Sequence, residues 1–458
     1  MRINHIKRAS GLALLVLAVF SVGRNGEAYI RAAQISGSIG NLNEPRYYHT
    51  ATMLDDGRVL IAGGLASGFS AKFSVELYDP AEREWLFSGF LLSARVSHTA
   101  TLLPDGKVLF VGGSSDSFGD FQLKTSELYD PATGKSTATG SLRTYRVFHT
   151  ATLLNNGKVL IAGGSDGFNS SSSTELYDPS TGQWSDSGSL VNPRWGHTAI
   201  LLGDGKVLFV GGVGVDTSAE LYDPETERCR KTGSFVVGRY STTATLLENG
   251  KVLMVGRTVD QSLMNTAELY DPASGTWRLT GNRSVVCGVS TMTLLPNGNV
   301  LATGLSCTGN LNLFGELYDP DSETWSTTDR LRVVREGYSA TRLLDGNILV
   351  AGGGFRGTVL NTTELYDSAR GTWSGPAIPI ITGLSISGKK LFVVGQGFAP
   401  GAVILVNGAE QRTRNQDEQP ESGLVGKSAA KRIKLGDKID VLNPSGAISD
   451  QFTFDPEK

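Results

Sequence analysis

Several things are scarce in this chain of 458 residues, and each scarcity narrows what it can be. Charge is nearly balanced, with a formal net charge of -3, so there is no basic face of the kind a nucleic-acid backbone requires. Nucleic acid is not an expected partner. No apolar stretch approaches the ~20 residues that span a bilayer. The longest near the start, Leu12 to Phe20, follows Arg2, Lys7 and Arg8 and precedes Gly26 and Ala28, the arrangement of a secretory signal over residues 1–28. The expected location is secreted or periplasmic, without stable membrane insertion after cleavage. No cysteine lies near that cut, which argues against a lipid anchor. Helical periodicity is rare too, and nothing resembles a nucleophile elbow or a pocketed pair of carboxylates.

What is abundant is glycine, 57 residues, and repetition. The string Glu-Leu-Tyr-Asp begins at Glu76, Glu127, Glu175, Glu220, Glu268, Glu316 and Glu364, at spacings of 51, 48, 45, 48, 48 and 48 residues. A period near 48 is that of a four-stranded propeller blade. Each unit contains a run such as His-Thr-Ala-Thr-Leu-Leu, a turn such as Asp56-Gly57 or Asn156-Gly157, and a run such as Lys-Val-Leu-Ile-Ala-Gly-Gly. The turn pairs suit a two-residue type I′ hairpin. The Glu-Leu-Tyr-Asp run is a third strand. A fourth carries Trp85, Trp184, Trp277, Trp325 or Trp373. The aspartate before each outer turn reads as a turn-capping acceptor; as a calcium ligand it lacks a second carboxylate at fixed spacing.

Glycine doublets close the second strand at Gly63-Gly64, Gly112-Gly113, Gly163-Gly164, Gly211-Gly212 and Gly352-Gly353, with departures at Gly256-Arg257 and Gly304-Leu305. Together with Tyr-Asp-Pro and the outer tryptophan, they resemble the Kelch repeat family, in the galactose oxidase-like propeller superfamily. The resemblance implies an all-β fold, a seven-bladed Kelch-type β-propeller over residues 29–379 whose blades surround a channel. The segment from Ile35 to Arg46 echoes the outer strand and is a candidate for sealing the ring. From Ile380 the repeat stops. Val-x-Gly-x-Gly-Phe followed by Val-x-Asn-Pro-x-Gly resembles the IPT/TIG family, implying a small immunoglobulin-like β-sandwich over residues 380–458. Its polar stretch from Glu410 to Lys434 reads as a surface loop.

Four of the five histidines, His49, His98, His149 and His197, occupy one repeat position, replaced elsewhere by Thr242, Ser290 and Ser339. Residues spread around a ring do not converge on one ion, so packing or hydrogen bonding at the strand start is the expectation. Kelch-like propellers include copper-radical oxidases resembling galactose oxidase, and Tyr48-His49 echoes their Tyr-His pair. Yet no second histidine lies outside the repeat position apart from His5, and no cysteine precedes the fourth unit. No metal or other cofactor is expected.

An arginine precedes the first strand of most units: Arg46, Arg95, Arg146, Arg194, Arg239 and, one residue out of register, Arg335. Antiparallel order places these beside the loops that follow the glycine doublets, which vary while the scaffold does not. Aromatics accompany them, notably Tyr48, Trp195 and Tyr240. In the family the equivalent loops line a ligand funnel, where guanidinium forks suit carboxylates and aromatic faces suit sugars or peptides. The competing reading is that the arginines bridge blades through carbonyls or the repeat glutamates. The functional expectation is a monomeric recognition scaffold for a protein or glycan; the alternative is an extracellular carbohydrate-active enzyme.

Residues facing each other across the Asn297-Gly298 hairpin have numbers summing to about 595, which sets Cys287 opposite Cys307. A disulfide is expected there, against two free thiols. Cys229 stands at a tryptophan position and reads as a buried filler.

Overall fold

The computed structural model describes residues 39–454 apart from short gaps at 117–120, 214–216, 259, 285–288, 306–312, 416–421, 428, 430–432 and 451, and the backbone of Phe20–Val22 and Ala28–Ile30. Those two short strands pair antiparallel. The rest of the signal segment lies outside the described residues. Among the described residues no helix is long and apolar enough to cross a membrane, and a 3-10 turn runs over Gln261–Leu263.

Residues from Ile39 onward form one compact unit. Seven of its sheets are four-stranded, antiparallel and contiguous in sequence. Blade I comprises Thr50–Met53, Val59–Ala62, Ser74–Asp79 and Glu84–Phe90; blades II to VII follow over residues 99–138, 150–186, 198–231, 239–280, 289–328 and 339–374. The first strand of each blade touches that of the next, and that of blade VII touches that of blade I, so the ring is closed.

The burial gradient follows from stacking sheet on sheet. Val59, Leu60, Ile61 and Ala62 are all fully buried, because a second strand has a neighbouring blade on both faces and reads as a continuous apolar run rather than an alternating one. Alternate residues serve opposite neighbours. Leu60 and Ala62 pack with Val108 and Phe110 of blade II, whereas Val59 and Ile61 pack with Leu349, Ala351 and Leu365 of blade VII. The repeat tyrosine joins the blades as well: Tyr177 stacks on Trp184 of its own blade at 5.0 Å and its hydroxyl lies 2.8 Å from Thr139 Oγ1 of the preceding blade's border. Cys229 takes the tryptophan's place opposite Tyr222, and burial pushes its thiol up to about 12.

The glycine doublets have a specific cause. At Gly63, with φ +67, an added Cβ would lie 2.6 Å from the Arg95 carbonyl oxygen and 2.6 Å from His98 Cε1, both of the next blade. At Gly352 the same two obstacles are the Arg46 carbonyl and His49 of blade I. The left-handed glycine is therefore where a blade receives the linker of its successor. The aspartates behave as expected: Asp79 Oδ1 accepts from the Ala81 amide at 2.9 Å, and Asp130 does the same for Ala132.

Three sequence expectations change in detail. The hairpin turns are not type I′. In Leu54–Arg58 only Gly57 has positive φ, the Gly57 amide donates to the Leu54 carbonyl, and the Leu54 amide to the Arg58 carbonyl, which is a type I turn ending in a left-handed glycine bulge. The described part of the segment before blade I, from Ile39, seals the ring as expected, but not as a strand of any blade. It is the linker into blade I: the Leu42 amide donates to the Asn361 carbonyl of blade VII at 2.9 Å, as the Leu91 amide does to Phe73 between blades I and II. Leu42 fills the core between blades VII and I.

The third change is beyond the ring. Residues 380–453 form two further four-stranded sheets around Leu391, Ile404, Leu424, Ile439 and Val441. The supposed loop from Glu410 contains the strands Thr413–Asn415 and Gly423–Gly426, and Leu424 and Val425 are buried. This layer docks on the linker into blade VII. The Ile448 amide donates to the Arg332 carbonyl, the Val334 amide to Gly446, and Arg330 Nη2 donates to Asp440 Oδ1 at 2.9 Å. Leu405, Leu442 and Ile448 share one apolar cluster with Leu331, Val334 and Phe355.

Candidate ligand-binding rim

The residue after each linker arginine bridges to the residue after each glycine doublet: Tyr47 to Leu65, Val96 to Ser114, Val147 to Ser165, Trp195 to Val213 and Glu336 to Gly354. The linker ends and the variable loops thus share one end of the propeller.

The arginines themselves do not face that end. Arg46, Arg95, Arg146, Arg194, Arg239 and Arg335 are at most 2% exposed, which corrects their assignment to a binding surface. Each pairs with the glutamate of its own blade: Arg46 with Glu76 at 2.7 Å, Arg146 with Glu175 at 2.8 Å, Arg194 with Glu220 at 2.7 Å, Arg335 with Glu364 at 2.8 Å; Arg95 pairs with Glu127 and Arg239 with Glu268. Each also donates to the carbonyl of its first doublet glycine, as Arg46 Nη1 does to Gly63 at 3.0 Å. The glutamates in turn accept linker amides, Glu76 from Asn43 at 2.7 Å and Glu364 from Arg332 at 2.6 Å. A buried charge needs its partner and its remaining hydrogen bonds at once, and this network supplies both. Blade VI has Cys287 at the arginine position; Arg283, four residues earlier, reaches Glu316 at 2.9 Å instead. That residue was missed because the repeat was aligned on arginine alone.

The histidines are also internal. His98, His149 and His197 place Nε2 2.9 to 3.0 Å from Thr50, Thr99 and Thr150 of the preceding blade, and His49 does so to Ser339 of blade VII. The seventh blade's residue at this position is Tyr338, bonded to Thr303, not Ser339. With that one-residue correction Arg335 stands in register with the other arginines. Burial, aided by the neighbouring arginine, lowers His49, His149 and His197 to about 3. Tyr48 and His49 accordingly part: one ring points to solvent, the other between blades. Among the described residues no three His, Cys, Asp or Glu side chains converge as a metal site.

What the rim does present is a series of left-handed backbone positions, two of them aromatic. The residues two after the linker arginines, Tyr48, Ser97, Phe148, Gly196, Ser241 and Gly337, all have left-handed φ between 49° and 62°. Neighbours lean on one another from blade to blade: the Tyr48 amide donates to the Gly337 carbonyl at 2.7 Å and the Gly196 amide to the Phe148 carbonyl at 2.9 Å. A bulky residue in this conformation costs of the order of 1 kcal/mol or more, and such strain concentrates at functional positions. Tyr48 is 54% and Phe148 48% exposed; Phe148 stacks on the half-buried Trp195 at 5.3 Å. The offset of two from arginine would have identified Phe148, which the sequence reading passed over. Tyr240 pairs with Arg257 in the first hairpin of blade V, and its side chain is outside the described residues. Phe168 projects almost free at 92% exposure, whereas Phe355 is buried.

A cleft of about 250 Å³ opens between blades VII and I on this end, lined by Tyr47, Tyr48, Phe69, Glu336, Phe355 and Arg356 among others. Cys287 and Cys307 lie outside the described residues. The hairpin register there runs Leu294 opposite Val300 and Met292 opposite Ala302, with a bulge between Val289 and Thr291.

Residues 146–190 match the Kelch motif family model, a span that begins at the buried Arg146 and covers the whole of blade III. No curated protein is matched by sequence. Among solved structures, a novel fungal alcohol oxidase of the AA5 family in complex with copper is similar in fold, with a TM-score of 0.58 over 92% of this chain and 99% of that one, at 16% identity. The chain therefore has the Kelch-type propeller fold.

Proposed function

We propose that this Kelch-type propeller is an exported recognition scaffold that binds a protein or glycan partner at the loop-bearing end, around the channel mouth. The observation that carries this reading is the series of left-handed linker residues, in which Tyr48 and Phe148 keep large aromatic faces in solvent where other blades place serine or glycine. Tyr48, Phe148 and Trp195 are the rim residues assigned to contact the partner. The buried arginines hold the linkers that aim them.

An enzyme of the copper alcohol oxidase kind, which the fold neighbour invites, would need converging donors. The four propeller histidines are each engaged between blades at Nε2, so the described residues do not fit that metal.

The test is a screen of purified protein against a glycan array and a random peptide display, repeated with Tyr48→Gly/Phe148→Gly. Glycine keeps the left-handed backbone and removes the faces. Binding that disappears in the double variant supports the reading; binding that persists, or turnover of a sugar without any stable ligand, overturns it.

A further inference from the structure

The cleft between blades VII and I brings charge and backbone strain together. Three non-glycine residues that line it, Tyr48, Phe69 and Arg356, have φ of 53°, 64° and 49°. Tyr47 and Tyr48 stand 5.0 Å apart with planes tilted by 45°, and the Tyr48 ring lies against Gly337, where a Cβ would come within 2.9 Å of it. Only glycine at 337 lets the ring lie there.

Two charged side chains line the cleft, Glu336 and Arg356. Arg356 is already committed. It sits over the Phe355 ring at 5.2 Å and is ion-paired with Glu410 of the C-terminal layer. Arg46 and Arg335, behind the cleft floor, are buried and paired with Glu76 and Glu364. Glu336 is exposed and makes no salt bridge among the described residues. Its carboxylate acts on the neighbouring phenol: Tyr48 is held above the ordinary tyrosine value first by burial and then by Glu336.

We infer that this cleft is a subsite for an organic cation, the ammonium or guanidinium of a lysine or arginine side chain on a partner polypeptide, taken between the aromatic faces of Tyr47, Tyr48 and Phe69 with Glu336 as counter-charge. Aromatic faces attract cations through the ring quadrupole, and a carboxylate beside them adds the charge that a neutral sugar would not use. The inference rests on the proposed recognition role and gives it a ligand class at one place on the rim.

The experiment is ligand-observed NMR on the full chain with three probes: a Gly/Ser peptide carrying one lysine, the same peptide with norleucine there, and a neutral trisaccharide. The lysine peptide is expected to bind, with norleucine weakening it about tenfold. Glu336→Gln, an exposed substitution that leaves the fold intact, should weaken the lysine peptide to a similar degree, and Tyr48→Gly should abolish it. Equal binding of the two peptides, no binding of either, or indifference to Glu336→Gln overturns the inference. If the trisaccharide binds and is lost in Tyr48→Gly but kept in Glu336→Gln, the cation subsite falls while rim recognition stands.

Discussion

Acid should loosen this ring through its histidines before it reaches most of its carboxylates. His49, His149 and His197 sit between blades with pKa lowered to about 3, and His98 is lowered as well. In the unfolded chain each returns to its ordinary 6.5. The fold keeps them neutral, so the unfolded state binds more protons between pH 6.5 and 3, and stability falls as pH drops through that window. At pH 5, one and a half units below 6.5, each of the three costs about 2 kcal/mol relative to pH 8, about 6 kcal/mol together. Glu364, which burial holds above the ordinary glutamate value, works in the opposite sense. Guanidinium denaturation at pH 8, 6 and 5 measures the effect as a falling midpoint at constant slope. His149→Gln preserves a polar group toward Thr99 and cannot titrate. It should lower stability at pH 8 and remove about 2 kcal/mol of the loss between pH 8 and 5. An unchanged pH dependence in that variant, or imidazole signals titrating near 6.5 in the folded protein, would refute the reasoning.

Other expectations follow from the same contacts. Arg146→Ala leaves Glu175 charged and unpaired in the interior and should cost about 3–5 kcal/mol, read as a lower denaturation midpoint or loss of soluble protein, whereas Arg146→Met with Glu175→Leu should recover most of it. Gly352→Ala drives a Cβ to 2.5 Å from the Arg46 carbonyl at the closing junction and should destabilise far more than Gly106→Ala, where nothing lies within 4 Å and only the left-handed backbone costs about 1 kcal/mol; thermal unfolding of the two variants separates them. Unreduced peptide mapping decides the proposed Cys287–Cys307 bridge, since two alkylatable thiols at those positions would rule it out.

The sequence alone determined the blade. Seven copies of one pattern, with continuous apolar second strands, Asp-capped turns and glycine doublets, leave little other way to bury the runs such as Val-Leu-Ile-Ala, because each is apolar on both faces and needs a sheet on either side. It also determined that linker ends and variable loops meet at one end, since antiparallel order admits nothing else. Whether Arg46 and its equivalents pointed into the ligand space or into the scaffold was not legible, because a guanidinium serves either place and only the packed distance to Glu76, thirty residues away in sequence, distinguishes them. The same holds for Arg283, which serves Glu316 from a position four residues off the repeat. The left-handed series was hidden for another reason: tyrosine, serine, phenylalanine and glycine share no composition, and what unites them is a backbone angle set where successive linkers lean on one another. The cleft at blades VII and I exists only because the first linker closes on the last blade, a contact between residues some three hundred positions apart, and there the tertiary structure alone brings Tyr48, Glu336 and Arg356 together.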